Sequence, residues 1–132
     1  MAAILDTHAA VWYLLKSPSL SSNALQTIEA TLQSGEPVFL PSICLVEVVY
    51  LVEKGRIPKL ALERLMAAFE GPRVALRITP LDLDVAKFVQ RIPREGVPDM
   101  PDRIIAATAL TLGLPLVTRD QRMRATGIEI IW

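Results

Sequence analysis

Short apolar stretches alternate along the chain with longer stretches in which apolar residues recur at helical spacing. The short stretches have the length of strands, and several are rich in valine and isoleucine. Strands that alternate with helices are typical of a parallel sheet with right-handed crossovers and helices on both faces. The pattern therefore predicts a three-layer α/β/α fold around a mostly parallel sheet of about five strands. The predicted strands are Ala2 to Leu5, Val38 to Leu40, Val74 to Ile78, Leu116 to Thr118 and Ile128 to Ile131.

The predicted helices have recognisable ends. Ser21-Ser22 and Asp82 stand where a helix is capped, and Gly35 and Gly113 stand where one ends. Pro101 suits the first turn of a helix, because a missing N–H there breaks no hydrogen bond. The helical patterns cover Leu25 to Leu32, Ile43 to Lys54, Leu60 to Phe69, Val85 to Ile92 and Asp102 to Leu112.

Length and composition favour one domain without a membrane span. The chain has 132 residues, and we expect a single domain over residues 1–132. Hydrophobic residues make up 52% of it, which excludes a disordered chain. The longest stretch without a charge, Ile104 to Thr118, contains Gly113 and Pro115 and is shorter than the roughly 20 residues of a bilayer helix. Asp6 interrupts the N-terminus before a signal peptide is formed, so we expect a cytoplasmic protein.

Net charge and cysteine content leave the class of partner open. The 14 lysine and arginine residues balance the 14 aspartate and glutamate residues. Local basic patches can still bind nucleic acid. Cys44, the only cysteine, lies in an apolar run and is expected to be a small buried residue in a reducing compartment. The basic groups are Lys54, Arg56 and Lys59; Arg91 and Arg94; and Arg119, Arg122 and Arg124.

Four acidic residues occupy positions at which such a sheet is expected to bind a ligand. Sites in open parallel sheets lie beyond the carboxyl ends of the strands. Asp6 directly follows the first predicted strand, and Asp120 follows the fourth. Glu47 lies on the apolar face of one predicted helix, and Asp102 begins another. A carboxylate on a core-facing stripe needs a partner, because leaving it unpaired costs several kcal/mol.

Each of these residues also has a purely structural interpretation. Asp6, Asp102 and Asp120 stand where aspartate caps a helix or favours its dipole, and Glu47 could pair with Arg103. Together the four residues indicate a binding site, because four carboxylates at one end of a sheet repel one another. A hard divalent cation is the usual reason to tolerate such repulsion, and Mg²⁺ suits ligands that are all oxygen. The chain has too few histidine and cysteine residues for a zinc site.

With these residues identified, the chain resembles the PIN-domain ribonucleases, and among them the VapC-type toxins of prokaryotic toxin–antitoxin pairs. The resemblance covers nearly the whole chain, and the four acidic positions occur in the family's order and contexts. The segments that carry it are Leu5-Asp6-Thr7-His8 followed by Trp12, Glu47 in SICLVEVVYLVEKGRI, Asp99-Met100-Pro101-Asp102-Arg103 before IIAATAL, LPLVTRD ending at Asp120, and Trp132.

The resemblance implies a Mg²⁺- or Mn²⁺-dependent endoribonuclease with a sheet between helices. Asp6, Asp102 and Asp120 would hold or orient the metal, and Glu47 would help through a bound water. Asp99 is an alternative to Asp102, although the nearby prolines favour a loop position for it.

Partners follow from the same resemblance. A cognate antitoxin would insert a basic side chain among the carboxylates, and a second copy of the chain would complete a homodimer. Apolar residues that a monomer is not expected to cover support the homodimer. They are Leu60, Leu62, Leu65, Met66 and Phe69.

Phosphodiester hydrolysis is the chemistry expected of such a site, since a metal held by carboxylates activates water and neutralises phosphate charge. RNA would need a positive rim around the acidic centre, for which the chain offers several arginines. Aromatic residues are only 5% of the chain, so recognition of a folded RNA by its shape is favoured over base-by-base reading. The candidate rim residues are Arg103, Arg119, Arg122 and Arg124.

Two other functions remain open. A phosphoacceptor receiver domain has similar length and alternation, but it should carry further acidic residues after the first strand and a lysine after a late one. This chain has Thr7 after Asp6 and reads Thr118-Arg119-Asp120 at the late strand. The second alternative is a non-enzymatic PIN-like interaction module, against which the intact acidic set argues.

Overall fold

A parallel sheet forms the centre of the molecule. The computed structural model describes residues 1–70 and 75–132. The strands are β1 (Ala3–Leu5), β2 (Val38–Pro41), β3 (Arg77–Thr79), β4 (Leu116–Val117) and β5 (Ile130–Ile131). Within the described residues they form one five-stranded sheet in the order β3-β2-β1-β4-β5, and every pairing is parallel. The predicted fold class is therefore confirmed.

Helices connect the strands and pack around the sheet. Side-chain oxygens of Asp6, Ser21, Asp82 and Asp99 accept the N–H groups of four helix starts, as N-cap residues do. Gly113 ends the last α-helix with a φ of +64°, a conformation that favours glycine. The helices are α1 (Thr7–Leu14), α2 (Ser22–Gln33), α3 (Ser42–Glu53), α4 (Lys59–Phe69), α5 (Leu83–Val89) and α6 (Met100–Leu112), with a 3₁₀ helix at Gln121–Thr126.

The third strand differs from its prediction. The apolar run from Val74 to Ile78 was expected to be a strand, but β3 begins only at Arg77, and Val74 lies outside the described residues. The N–H groups of Ala75 and Leu76 donate to the carbonyl of Ala68 at 3.1 and 3.4 Å. These two residues are therefore tied to the end of α4 and not to the sheet.

Buried apolar side chains from the sheet and the helices form one hydrophobic core. β1 is fully buried because it has a strand on either side, and Cys44 is buried as the sequence predicted. The apolar face expected on α4 is only partly free, since Leu65 is buried in the core while Leu60 and Met66 are exposed. In the part of the chain that the structure describes, no helix is long and apolar enough to cross a membrane.

The order of the strands reverses next to β1. From β1 the chain moves outward to β2 and β3, then returns to β4 on the other side of β1 and continues to β5. The carboxyl ends of β1 and β4 therefore flank a switch point, the place where parallel α/β sheets bind their ligands. Asp6 follows β1 there, and Thr118 to Asp120 follow β4.

Candidate active site

Asp6 and Asp120 are joined through the hydroxyl of Thr118. Thr118 is fully buried, donates its hydroxyl to Asp6 Oδ2 and accepts the N–H of Asp120 at 3.0 Å. The other oxygen of Asp6 accepts the N–H of Ala9 at 2.8 Å and caps α1. Burial raises the pKa of the Asp6 carboxyl, although the hydrogen bonds from Thr118 and Ala9 offset part of that effect. The capping and site interpretations of Asp6 are therefore compatible.

Glu47 reaches the same site from α3. Its Oε1 accepts a hydrogen bond of 2.6 Å from the hydroxyl of Thr7, which is buried at the first position of α1. Burial raises the pKa of Glu47, and the negative charge of Asp99 raises it further, while the Thr7 hydroxyl opposes both. The expected alternative, an ion pair between Glu47 and Arg103, is wrong because Arg103 is engaged elsewhere.

Asp102 lies in the first turn of α6, where it is half-buried and surrounded by like charge. Burial is the largest cause that raises its pKa, to about 6, and the neighbouring carboxylates add to it. Four carboxylates contribute in this way. They are, in decreasing order of effect, those of Asp99, Glu47, Asp120 and Asp6.

The cap of α6 is Asp99 and not Asp102. The helix begins at Met100, and Asp99 Oδ2 accepts the N–H of Asp102 at 3.2 Å from its exposed position before the helix. Asp102 is therefore not the cap of α6, although its place in the first turn agrees with the other half of the structural interpretation, that its charge favours the helix dipole. Its half-buried carboxylate has no capping role to explain it, whereas Asp99 has one in the loop where it was expected.

Arg122 places a cation inside this cluster. Its Nη2 lies 2.8 Å from Asp120 Oδ2 and 3.7 Å from Asp102 Oδ2, and its Nε donates to Asp120 Oδ1 at 3.0 Å. Asp120 also accepts the backbone N–H of Arg122 and so caps the 3₁₀ helix. These hydrogen bonds hold the pKa of Asp120 below its usual value, although burial acts in the opposite direction. Among the described residues, Asp120 is thus the carboxylate that Arg122 pairs with most closely, and Asp102 shares the same cation at a longer distance.

The donor set suits a hard divalent cation, but the carboxylates are not yet turned towards one point. Among residues 1–70 and 75–132, no three acidic, thiol or imidazole side chains lie close enough together to hold a metal ion. The hydrogen bonds give the reason, since Thr7 holds Glu47, Thr118 holds Asp6 and Arg122 holds Asp120. Burial is the largest cause of the raised pKa of Asp102, and the neighbouring carboxylates add a repulsion that a cation would relieve. The carboxylate oxygens are of the ligand type that Mg²⁺ and Mn²⁺ prefer.

The other candidate rim arginines differ in what they contact. Arg119 is exposed and lies over the ring of Trp12, and Arg124 donates to Gln121 at 2.5 Å. Arg103 does not belong to the rim. Its Nη2 donates to the carbonyls of Val89 and Ile92 at 3.0 Å each, so it binds the end of α5.

Two residues that the sequence analysis did not single out, and one that it named only as a candidate for the positive rim, organise the site. Thr7 and Thr118 position carboxylates, and Arg122 neutralises one. Both threonines stand beside an acidic residue in the segments Asp6-Thr7-His8 and Thr118-Arg119-Asp120. That adjacency was the available signal, because a hydroxyl next to a carboxylate at a strand end is well placed to donate to it.

This fold and this acidic switch point are those of a PIN domain. The PIN domain family model matches residues 3–129, and the chain belongs to that family. The resemblance identified from the sequence is thereby confirmed.

One protein of similar sequence and two solved structures of similar fold are related to this chain. The chain is 30% identical to Ribonuclease VapC22 of Mycobacterium tuberculosis over 122 residues, which are 92% of this chain and 89% of that protein. The VapBC of Salmonella typhimurium, solved with bound DNA, is 26% identical with a TM-score of 0.67 and covers 98% of this chain and 96% of that one. The VapBC2 of Rickettsia felis, bound to a DNA fragment from its promoter, has a TM-score of 0.75, covers 98% and 97%, and at 18% identity is a likeness of fold.

Proposed function

We propose that this chain is a divalent-metal-dependent endoribonuclease and the toxin of a type II toxin–antitoxin pair. The observation that carries the proposal is the gathering of carboxylates from β1, α3, α6 and the end of β4 at one switch point. Similarity to Ribonuclease VapC22 and to the VapBC structures supports the same function.

Each acidic residue has a proposed role. Asp6, Asp102 and Asp120 would hold Mg²⁺ or Mn²⁺, and Glu47 would act through a bound water. When bound, the cation supplies charge neutralisation at the scissile phosphate and activation of the attacking water. Thr118 and Thr7 keep the carboxylates of Asp6 and Glu47 in place through their hydroxyls.

The charge of the site governs how RNA approaches it. The carboxylates repel a phosphate backbone unless a cation is bound, so substrate and metal should bind cooperatively. Arg119 and Arg122 are exposed at the same rim and are suited to contact phosphates. We propose that these two arginines, and not Arg103, form the positive rim of the site.

Cleavage of cellular RNA tests the proposed function directly. Purified protein is incubated with total RNA with Mg²⁺, with Mn²⁺ and with EDTA, and the new RNA ends are sequenced. We expect discrete new ends only when metal is present and Asp6 is intact. Asp84→Asn is the matched control, because Asp84 is an exposed aspartate in the first turn of α5. Equal cleavage by Asp6→Asn and the wild type would refute the nuclease assignment.

A metal titration separates the enzyme from a non-enzymatic interaction module. If calorimetry with millimolar Mg²⁺ or Mn²⁺ gives no heat and the melting temperature does not change, the module is favoured. We expect metal to stabilise the wild type and to stabilise the Asp102→Asn variant much less.

A cognate antitoxin is the second proposed partner. Arg122 demonstrates that a guanidinium fits between Asp120 and Asp102. A basic side chain of an antitoxin placed there would relieve the same repulsion as the metal, so the two should compete. An antitoxin whose affinity is unchanged by Mg²⁺ at constant ionic strength would contradict this mode of inhibition.

We also propose a homodimer, and the structure suggests a different face for it than α4. Val46 and Tyr50 lie one turn apart on α3 and are 51% and 59% exposed. The start of α5 and the residues before it lie near the start of the same helix, since the N–H of Leu81 donates to Ser42 Oγ at 3.1 Å, and they carry the exposed side chains of Leu81 and Leu83. Exposed apolar side chains on neighbouring elements are typical of an interface between subunits.

A cytoplasmic location belongs to the same proposal. Cellular RNA is the proposed substrate, and the single cysteine, Cys44, is buried and free. Both suit a reducing compartment.

A further inference from the structure

A cluster of rings lies beside the carboxylates, and of its members the proposed function uses only one arginine, for the positive rim. We call it the aromatic cluster, and it consists of His8, Trp12, Arg119 and Trp132. The ring centroid of Trp12 lies 5.5 Å from that of His8 and 5.8 Å from that of Trp132. The guanidinium carbon of Arg119 lies 5.3 Å from the centre of the Trp12 ring. Three separate elements, α1, the loop after β4 and the end of β5, meet at this one indole.

The aromatic cluster borders the acidic site. His8 is two residues beyond Asp6, and Arg119 directly precedes Asp120, so both stand at the rim of the switch point. His8 lies in the first turn of α1, the helix that Asp6 caps, and its ring contacts that of Trp12. A nucleotide next to the scissile phosphate would therefore contact the aromatic cluster.

The members of the aromatic cluster differ in exposure, so that some can contact RNA and the others hold them in place. Trp12 is half-buried, and Trp132 supports it from behind while its own carbonyl accepts a hydrogen bond of 3.3 Å from Asn23 on α2. His8 and Arg119 are exposed. In the described part of the chain Arg119 forms no ion pair, whereas Arg122 is paired with Asp120. Arg119 thus presents a fixed, flat cation whose charge is not neutralised.

We propose that His8 and Arg119, positioned by Trp12, form a subsite for the RNA nucleotide that flanks the scissile phosphate. The inference rests on the proposed ribonuclease function. Arg119 would contact the phosphate of that nucleotide, and its guanidinium plane, with the His8 ring, would stack on the base. Arginine planes and aromatic rings are the groups on which proteins stack unpaired RNA bases, and such stacking tolerates any base. The substrate would then be single-stranded at this position, even where the rest of the RNA is folded.

Binding of RNA without cleavage tests the subsite. The probe is a fluorescent single-stranded RNA of mixed sequence, and all variants carry Asp102→Asn and are assayed in EDTA, so that no RNA is cut and repulsion is reduced. We expect Arg119→Gln to weaken binding about tenfold and to lower the slope of log K against log salt by about 0.7, as loss of one phosphate contact does. Arg91→Gln is the matched control, because Arg91 lies 4.6 Å over the ring of Phe88 in a similar arrangement. It should leave both affinity and slope unchanged.

A second variant and a spectroscopic signal separate stacking from charge. Arg119→Lys should have the same salt slope as the protein with Arg119. Its affinity for RNA should lie about halfway between that protein and Arg119→Gln, since lysine has no plane on which a base stacks. The chain has two tryptophans, and both belong to the aromatic cluster, so RNA binding should change the intrinsic fluorescence. No fluorescence change, or a Lys variant equal to arginine, would overturn the stacking contact.

The outcomes also distinguish this subsite from the proposed function. If the wild type cleaves total RNA with metal but Arg119→Gln binds RNA as Arg91→Gln does, the subsite is wrong and the nuclease stands. If the wild type neither binds nor cleaves RNA, both proposals fail. A lower melting temperature of Arg119→Gln with unchanged RNA affinity would assign the cluster a structural role only.

Discussion

Replacement of Asp102 by asparagine removes one negative charge from the acidic cluster while keeping the shape of the side chain. In the metal-free protein this carboxyl has a pKa of about 6, against 3.8 in the unfolded chain. A pKa raised by folding means that the folded state prefers the protonated acid. Ionisation of Asp102 therefore lowers the free energy of unfolding as pH rises from about 4 to about 6, and the full loss is present above pH 6.

The size of this cost follows from the same pKa. Without screening, the change from 3.8 to about 6 corresponds to about 3 kcal/mol. Asp102 is only half-buried and lies near Arg122, so we reduce this to about 1 kcal/mol for solvent screening. Asp102→Asn should therefore stabilise the metal-free protein by about 1 kcal/mol at pH 7.5, which raises the melting temperature by about 4 °C. Near pH 4 the two proteins should be equally stable.

Denaturant unfolding in EDTA across this pH range measures the effect, with Asp84→Asn as the control for loss of an exposed helix-start charge. In Mg²⁺ the order should reverse, because metal stabilises the wild type and not the variant. RNA cleavage should be lost in Asp102→Asn. A variant that is less stable than the wild type at pH 7.5, or whose difference does not depend on pH, would show that burial and the neighbouring carboxylates do not raise the pKa of Asp102 in the folded protein. If cleavage is retained, the role assigned to Asp102 moves to Asp99.

Three further substitutions test other parts of the structure. Arg122→Gln should raise the affinity for Mn²⁺ several-fold in calorimetry without RNA, because the guanidinium that competes with the metal is gone. The control variant Arg124→Gln should leave this affinity unchanged. A lower affinity of Arg122→Gln would mean that Arg122 holds Asp120 in place for the metal. Arg103→Met should cost about 2 kcal/mol in denaturant unfolding, since it breaks two hydrogen bonds to the end of α5 and the turn after it and removes the side-chain partner of the Ile92 carbonyl. An unchanged free energy of unfolding would contradict this role. Tyr50→Glu should turn a dimer into a monomer in light scattering. A variant that stays dimeric would contradict the proposed face, and a wild type that is monomeric at tens of micromolar would contradict the homodimer.

The sheet was predictable because strand-sized apolar runs and the helix ends between them are local signals. β3 was misplaced because the run from Val74 to Ile78 is as apolar as a buried strand, while this strand lies at the sheet edge and begins at Arg77. The difference depends on hydrogen bonds between Ala68 and the residues after α4, which no local pattern encodes.

Candidate site residues could be named from the sequence, but their partners could not. Asp6 and Asp120 were placed by counting from strand ends, a rule that holds for any parallel sheet. Which arginine faces the carboxylates depends on the 3₁₀ helix after Asp120, which brings Arg122 back onto it. Arg103 was a reasonable partner for Glu47 by charge, yet the end of α5 takes its guanidinium. The roles of the four acids and the single domain over residues 1–132 stay predictions.

The central position of β1 determines when the site comes into being during protein synthesis. β1 is made first, but one of its two neighbours is β4, whose residues are made more than a hundred positions later. Until then Asp6 lacks the Thr118 hydroxyl, and Asp120 does not yet exist. At ordinary translation rates, several seconds separate the two ends of the site. If Asp6 and Asp120 act as proposed, a nascent chain that has not yet reached β4 cannot hold the metal, so β4 sets the earliest point at which the chain becomes active.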